Sequence, residues 1–128
     1  MFNFFKKKPT SFSSSFLDNH SLKLKYFFRV AIFDVIQGEV IAYDSLSPKV
    51  ITFDPWPKII FLESLGNRTV EEFIIYMANS YKGNIPNDLD KTVIAQIEGL
   101  LNLNMIALSD TPVTLIDKYR NPKNQKLN

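Results

Sequence analysis

The sequence predicts an α+β domain: a three-stranded antiparallel meander, then three helices and a short C-terminal strand or hairpin. Three observations carry this expectation. Aromatic and β-branched residues, broken by Gln37-Gly38 and by residues 45–48, dominate positions 22–53. A capping box, Thr69-Val70-Glu71-Glu72, opens the clearest helical stripe in the chain. Apolar residues then recur at helical spacing from Leu89 to Leu101, before Asn104 and the apolar run Met105-Ile106-Ala107-Leu108.

Taken in order, residues 1–21 are rich in Ser, Lys and Asn, with Phe2, Phe4, Phe5, Phe12 and Phe16 scattered among them. They read as a flexible basic and aromatic arm; an aromatic–lysine start also suits a weak anchor on an anionic membrane surface. Leu22, Leu24, Tyr26, Phe28, Val30 and Ile32 then alternate at strand period. The same stretch fits a helical stripe through Leu24, Phe27, Phe28, Ala31, Ile32 and Val35, and its aromatic and β-branched content favours the strand. Gln37-Gly38 makes a turn into a second strand over 39–44, and 49–53 forms a third.

The segment Asp54-Pro55-Trp56-Pro57 ends the sheet, and Pro57 suits the first turn of a helix over 58–65. Gly66-Asn67 is expected to close that helix, because both residues accept positive φ. Behind the capping box, Val70, Phe73, Ile74, Met77, Ala78 and Tyr81 share one face of a second helix. Asn87 or Asp88 caps a third helix running to about residue 103, with Leu89, Val93, Ile97, Leu100 and Leu101 inward. A strand over 105–108 follows, and 113–116 is expected to return beside it as a wing. Residues 22–116 thus form one winged-helix-like domain, and 117–128 read as a flexible basic tail.

Length and composition narrow the function. A chain of 128 residues makes one domain with a real core. There are no cysteines and one histidine, His20, in a polar segment where a surface position is expected. Disulfides and thiolate metal sites are excluded, and a reducing, cytoplasmic location is the default. No cofactor is implied. The longest apolar runs fall short of the ~18–20 residues that span a bilayer, and the N-terminal order, aromatics before lysines, is the reverse of a secretory signal.

Charge is unevenly placed. Lys6, Lys7, Lys8, Lys23, Lys25 and Arg29 face only Asp18 in residues 1–29, a net of five positive. Lys118, Arg120, Lys123 and Lys126 outweigh Asp117 by three at the other end. Between them, residues 69–103 carry Glu71, Glu72, Asp88, Asp90 and Glu98 against Lys82 and Lys91, a net of three negative.

No reactive constellation stands out. Glu71 and Glu72 are consecutive and so do not share a helix face, and Glu72 is claimed by the cap. Asp88 and Asp90 complement the helix macrodipole. The four glycines are isolated, so no phosphate-cradling loop exists. A noncatalytic role is therefore expected. DNA recognition by the third helix would push Asp88, Asp90 and Glu98 toward phosphates, which disfavours nucleic acid as a partner. Trp56 reads either as a core-edge residue or as an anchor near a peptide groove. Gly99, inside the third helix, permits close backbone approach either in the core or by a bound strand.

Taken together, residues 40–44, residues 49–53, Trp56, Ile59-Ile60, the run Leu65-Gly66-Asn67-Arg68-Thr69-Val70-Glu71-Glu72-Phe73, Tyr81 and residues 97–106 resemble the PqqD-like family. These are small winged-helix peptide chaperones, also called RiPP recognition elements. The resemblance covers about residues 25–108. The chain departs from the family pattern in having Gly66-Asn67 for an Asp-Gly turn, and Asp54-Pro55-Trp56-Pro57 for an Asn before the first helix.

The resemblance implies capture of the leader of a ribosomally made precursor peptide and its presentation to a modifying enzyme, often a radical SAM protein. It also implies that the leader adds as a strand beside the third strand, against the third helix. The corresponding peptide-binding positions are Lys49, Ile51 and Phe53 on the strand, with Lys91, Ile94, Ala95 and Glu98 on the helix. An exposed edge of this kind is equally able to pair with a second copy of the chain, giving a homodimer. The alternative function is a winged-helix regulator that binds DNA or a protein partner.

Overall fold

The structure is a computed structural model and describes residues 14–44 and 50–123. It is α+β, with two small antiparallel sheets and five helices in the order α1 (Ser15–Asp18), β1 (Tyr26–Arg29), β2 (Ile32–Ile36), β3 (Glu39–Tyr43), β4 (Val50–Thr52), α2 (Pro55–Leu62), β5 (Leu65–Thr69), α3 (Val70–Asn79), α4 (Leu89–Asn102), β6 (Ile106–Ser109) and α5 (Asp117–Arg120). The expected meander is present as β2-β3-β4, and a second sheet runs β5-β1-β6.

That second sheet corrects the expectation of one long opening strand. The chain leaves β1 at Val30-Ala31, where Ala31 is buried, and re-enters a different sheet as β2. Facing is also the reverse of what alternation suggested. Phe27, Arg29 and Phe33 are buried, while Tyr26, Phe28 and Ile32 are only half covered. Phe27 meets Phe73 of α3 edge-on at 5.5 Å between centroids, and Phe33 meets Phe61 of α2 at 5.3 Å. Sheet pairing and helix packing together choose the face, and a period-2 pattern that is apolar on both faces cannot.

The expected helix over 58–65 begins earlier, at Pro55, and ends at Leu62, with Glu63 as its C-cap. Both Pro55 and Pro57 fit its first turn, where amide hydrogens have no helical partner. Gly66 and Asn67 therefore do not close it. They lie within β5, where Tyr26 pairs with Thr69 and Phe28 with Leu65. Gly66 has φ +85 and is buried under the main chain of Val113.

Helix α3 starts on the capping box, with the Glu72 amide donating to Thr69 Oγ1 (3.1 Å) and the Thr69 amide to Glu72 Oε1 (2.9 Å). Helix α4 ends at Asn102 with Leu103 as its C-cap, and the expected stop at Asn104 follows, with φ +61 there and the Met105 amide donating to the Leu100 carbonyl. Central in the layout, α4 packs against α1, α2, α3 and β6. Its buried face is Leu89, Val93, Ile94, Ile97 and Leu100, joined in one core with Phe27, Phe33, Phe61 and Phe73.

Both ends of the domain extend beyond the expected bounds of 22–116. Residues 14–21, assigned to a flexible arm, are packed: Leu17 is 0% exposed, Ser14 caps α1, and its hydroxyl donates to the buried Asp90 carboxylate at the start of α4. His20, expected on the surface, is half-buried, with Nδ1 accepting from the Leu22 amide and Nε2 3.7 Å from Glu98. The remaining arm, residues 1–13, lies outside the described residues.

At the other end, 113–116 forms no strand beside β6. It crosses instead to β5, where the Val113 amide donates to the Gly66 carbonyl at 2.8 Å. Residues 117–120 of the expected tail then form α5, and residues 124–128 lie outside the described residues. Arg29 holds α5 in place: its guanidinium donates to the carbonyls of Tyr119, Arg120, Phe61 and Leu62.

Candidate functional site

Strand β4 is the terminal strand of its sheet, and its outer edge has no partner strand among the described residues. In antiparallel pairs the inward and outward backbone groups alternate along a strand. The Phe53 amide donates inward to the Val40 carbonyl, and register pairs Ile51 with Ala42. Ile51 and Phe53 therefore spend their backbone groups on β3, while Val50 and Thr52 turn theirs outward. Val50 is also 59% exposed.

Beside this edge lies a cleft of about 220 Å³, lined by Ile51, Thr52, Phe53, Asp54, Pro57, Gln96, Gly99, Leu100 and Leu103. One wall is β4 and the start of α2; the other is the C-terminal half of α4. The lining is mostly apolar, and among the described residues Asp54 is its only charged member. Asp54 caps α2 through its backbone position and its side chain makes no capping bond. Gly99 faces open space, since a β-carbon there would meet nothing within 4 Å. Of its two readings, core packing is thereby excluded; the bare position lies on the cleft wall.

The expected site residues divide. Ile51 and Phe53 line the cleft, and Phe53 is anchored beneath it, its ring 5.0 Å from that of Phe61. Lys49 lies outside the described residues. On α4 the expected positions Lys91, Ile94, Ala95 and Glu98 do not line this cleft. Ile94 is buried in the core, so it cannot meet a ligand. Lys91 and Glu98 sit against α1, with Lys91 Nζ 5.7 Å from the Phe16 ring centroid and Glu98 beside His20. Ala95 is exposed but outside the cleft lining.

The cleft stripe is instead Gln96, Gly99, Leu100 and Leu103, spaced at i, i+3, i+4 and i+7. Leu103 carried a signal: it is an apolar residue off the core stripe, and it is exposed. The sequence reading passed over it because α1 was not foreseen, and α1 is what occupies the other flank of α4. Trp56 is half-buried against the core, and Pro57, next along, contributes to the cleft in its place.

Elsewhere, Asp34 on β2 is 6% exposed. Tyr43 donates its hydroxyl to Asp34 Oδ2, while Oδ1 has no partner among the described residues. That bond, with burial, raises the Tyr43 pKa above its usual 10.0. Among the described residues no group of three or more His, Asp or Glu could hold a metal ion, and no helix is long and apolar enough to cross a membrane. Comparison with protein-family models, curated proteins and solved structures finds no match to this chain.

Proposed function

We propose that the protein is a noncatalytic peptide-binding adaptor with a winged-helix-like domain, which captures the leader of a ribosomally made precursor peptide and presents it to a modifying enzyme such as a radical SAM protein. One observation carries this reading: an edge strand with outward main-chain groups at Val50 and Thr52 borders an apolar cleft on α4. A peptide added there gains main-chain hydrogen bonds from β4, and alternate side chains drop into the cleft. The bare Gly99 leaves room for the incoming backbone or side chain.

The DNA-binding alternative is less well supported. Helix α4 packs against α1, α2 and α3, and its N-terminus carries Asp88 at the cap and Asp90 in the first turn. The adaptor reading is tested with the fluorescent leader of a precursor peptide encoded beside this gene. Anisotropy should report micromolar binding by the native chain, and Gly99→Trp should weaken it at least ~10-fold by filling the cleft. Equal binding by a folded Gly99→Trp chain would remove the cleft from the account.

A further inference from the structure

We propose that the outer face of the β2-β3-β4 sheet is a docking surface for an amphipathic helix of a partner protein, whose apolar stripe carries one arginine for Asp34. This face is separate from the β4/α4 cleft, toward which Ile51 and Phe53 turn from the opposite side of the sheet.

Strand register defines the face. Ile32 pairs with Tyr43 and Tyr43 with Val50, Asp34 with Ile41 and Ile41 with Thr52, and Ile36 with Glu39. The residues that alternate with them, Phe33, Val40, Ala42 and Phe53, enter the core, so this set points outward. An antiparallel sheet that meets water on one side ordinarily turns polar residues there. Here the outward set includes Ile32, Ile36, Ile41, Tyr43 and Val50, with Ile36 46% and Val50 59% exposed. Helix α5 packs against β2, and Lys123 Nζ lies 4.7 Å from the Tyr43 ring centroid; both leave Ile36 and Val50 open.

Asp34 specifies what the cover must carry. It sits in the middle row of this face, buried, and its Oδ1 has no hydrogen-bond partner among the described residues. Lys123 lies over the Tyr43 ring and Lys58 donates to the Gly38 carbonyl; neither ion-pairs with Asp34. A buried acceptor left without a donor costs stability, and a guanidinium presents planar donors that match a carboxylate. Tyr43, which caps the other oxygen, is half-exposed, so its ring is the movable edge beside which that donor enters.

A helix suits the remainder of the face. Sheets bury an apolar face beneath helices, and a stripe at i, i+3, i+4 and i+7 supplies the side chains to meet Ile36, Ile41 and Val50. Glu39, exposed on the same face, joins Asp34 in repelling an anionic lipid surface.

Two synthetic helical peptides test the proposal on the full chain. Both carry leucine at i, i+3 and i+7 of one stripe; the i+4 position is arginine in one and methionine in the other. Expected is at least ~10-fold tighter binding of the arginine peptide by the native chain, with the preference falling to within ~2-fold in Asp34→Asn. Amide shifts on binding should appear at Ile36 and Ile41, with Gly99 and Leu103 in the cleft unmoved. Ile36→Lys, at an exposed position, should weaken both peptides at least ~10-fold while circular dichroism stays native.

No binding, equal binding of the two peptides, or an arginine preference that survives Asp34→Asn would overturn the proposal. So would shifts confined to Gly99 and Leu103, or undiminished binding by folded Ile36→Lys. Self-association of the native chain that Ile36→Lys abolishes would make a second copy the cover. Adsorption to anionic vesicles that the same substitution abolishes would make a membrane the cover, and either result overturns the helix. No leader peptide enters these experiments, so the cleft reading stands or falls by its own test.

Discussion

Gly66 and Val113 touch main chain to main chain. The Val113 amide donates to the Gly66 carbonyl, and a β-carbon on Gly66 would overlap the Val113 carbonyl oxygen and lie 3.0 Å from its carbonyl carbon. Because Gly66 also has φ +85, two independent requirements exclude a side chain there. The contact is where the segment after β6 is pinned to β5.

Gly66→Ala should therefore be strongly destabilising. The left-handed backbone alone costs about 1–2 kcal/mol for an L-residue, and relieving the overlap adds about 1–3 kcal/mol. Urea unfolding should show a fall in midpoint of that size, whereas Gly38→Ala, which has positive φ but open space around it, should show only the backbone cost.

Arg29 is 3% exposed, and among the described residues its side chain has only main-chain carbonyls as hydrogen-bond acceptors; its guanidinium also stacks over Phe33 and Phe61 at 5.0 and 5.7 Å. Burial lowers its pKa to about 10, opposed by the nearby Glu63 carboxylate, so it remains charged at neutral pH. Arg29→Met should strand the carbonyls of Phe61, Leu62, Tyr119 and Arg120 and cost at least about 2 kcal/mol. Trypsin should then cut after Lys118 faster than in the native chain, because α5 has lost its clamp. Arg29→Lys should recover only part of the loss, since one ammonium cannot span both carbonyl pairs.

Tyr43 and Asp34 give a pH-dependent readout. The folded pKa of Tyr43 is raised, chiefly by its hydrogen bond to Asp34, so the folded state holds that proton more tightly than the unfolded one. Its contribution to stability is full below pH 10 and is lost as pH rises through the raised folded value. Ultraviolet titration should show Tyr43→Phe removing an ionisation that lies above 10, and Asp34→Asn should move that ionisation back toward 10. An unchanged titration in both variants would contradict the bond.

Leu17 tests the packed status of residues 14–21. Leu17→Ala should cost about 2–4 kcal/mol by the usual penalty for emptying a buried leucine site. If the segment were a free arm, thermal unfolding of this variant would match the native chain.

The features legible in the sequence were those fixed by local chemistry. Thr69 and Glu72 satisfy each other's amides within one turn, and Asn104 tolerates φ +61 on its own. The β2-β3-β4 meander was readable because the turn at Gln37-Gly38, where both residues have positive φ, sets its register.

What stayed hidden depended on distant partners. Strand β5, Leu-Gly-Asn-Arg-Thr, has little β-propensity of its own and exists by pairing with β1. The break between β1 and β2 at Val30-Ala31 leaves no mark in the alternation. Ile51 and Phe53 line the cleft because they belong to the strand expected over 49–53, observed as β4 and the residue after it. Lys91, Ile94, Ala95 and Glu98 fall off the cleft lining because α4 is apolar on more than one face, and only the docking of Leu17 and α1 decides which flank stays open.

Thr52→Pro tests the central claim most directly. Proline removes the outward-facing Thr52 amide, which β3 does not use, and edge strands tolerate it at such a position. Calorimetric titration with the leader peptide should show affinity falling at least ~10-fold, while the melting temperature stays near that of the native chain. Undiminished affinity in a Thr52→Pro chain with native circular dichroism would mean that no added strand pairs with β4, and would contradict the account.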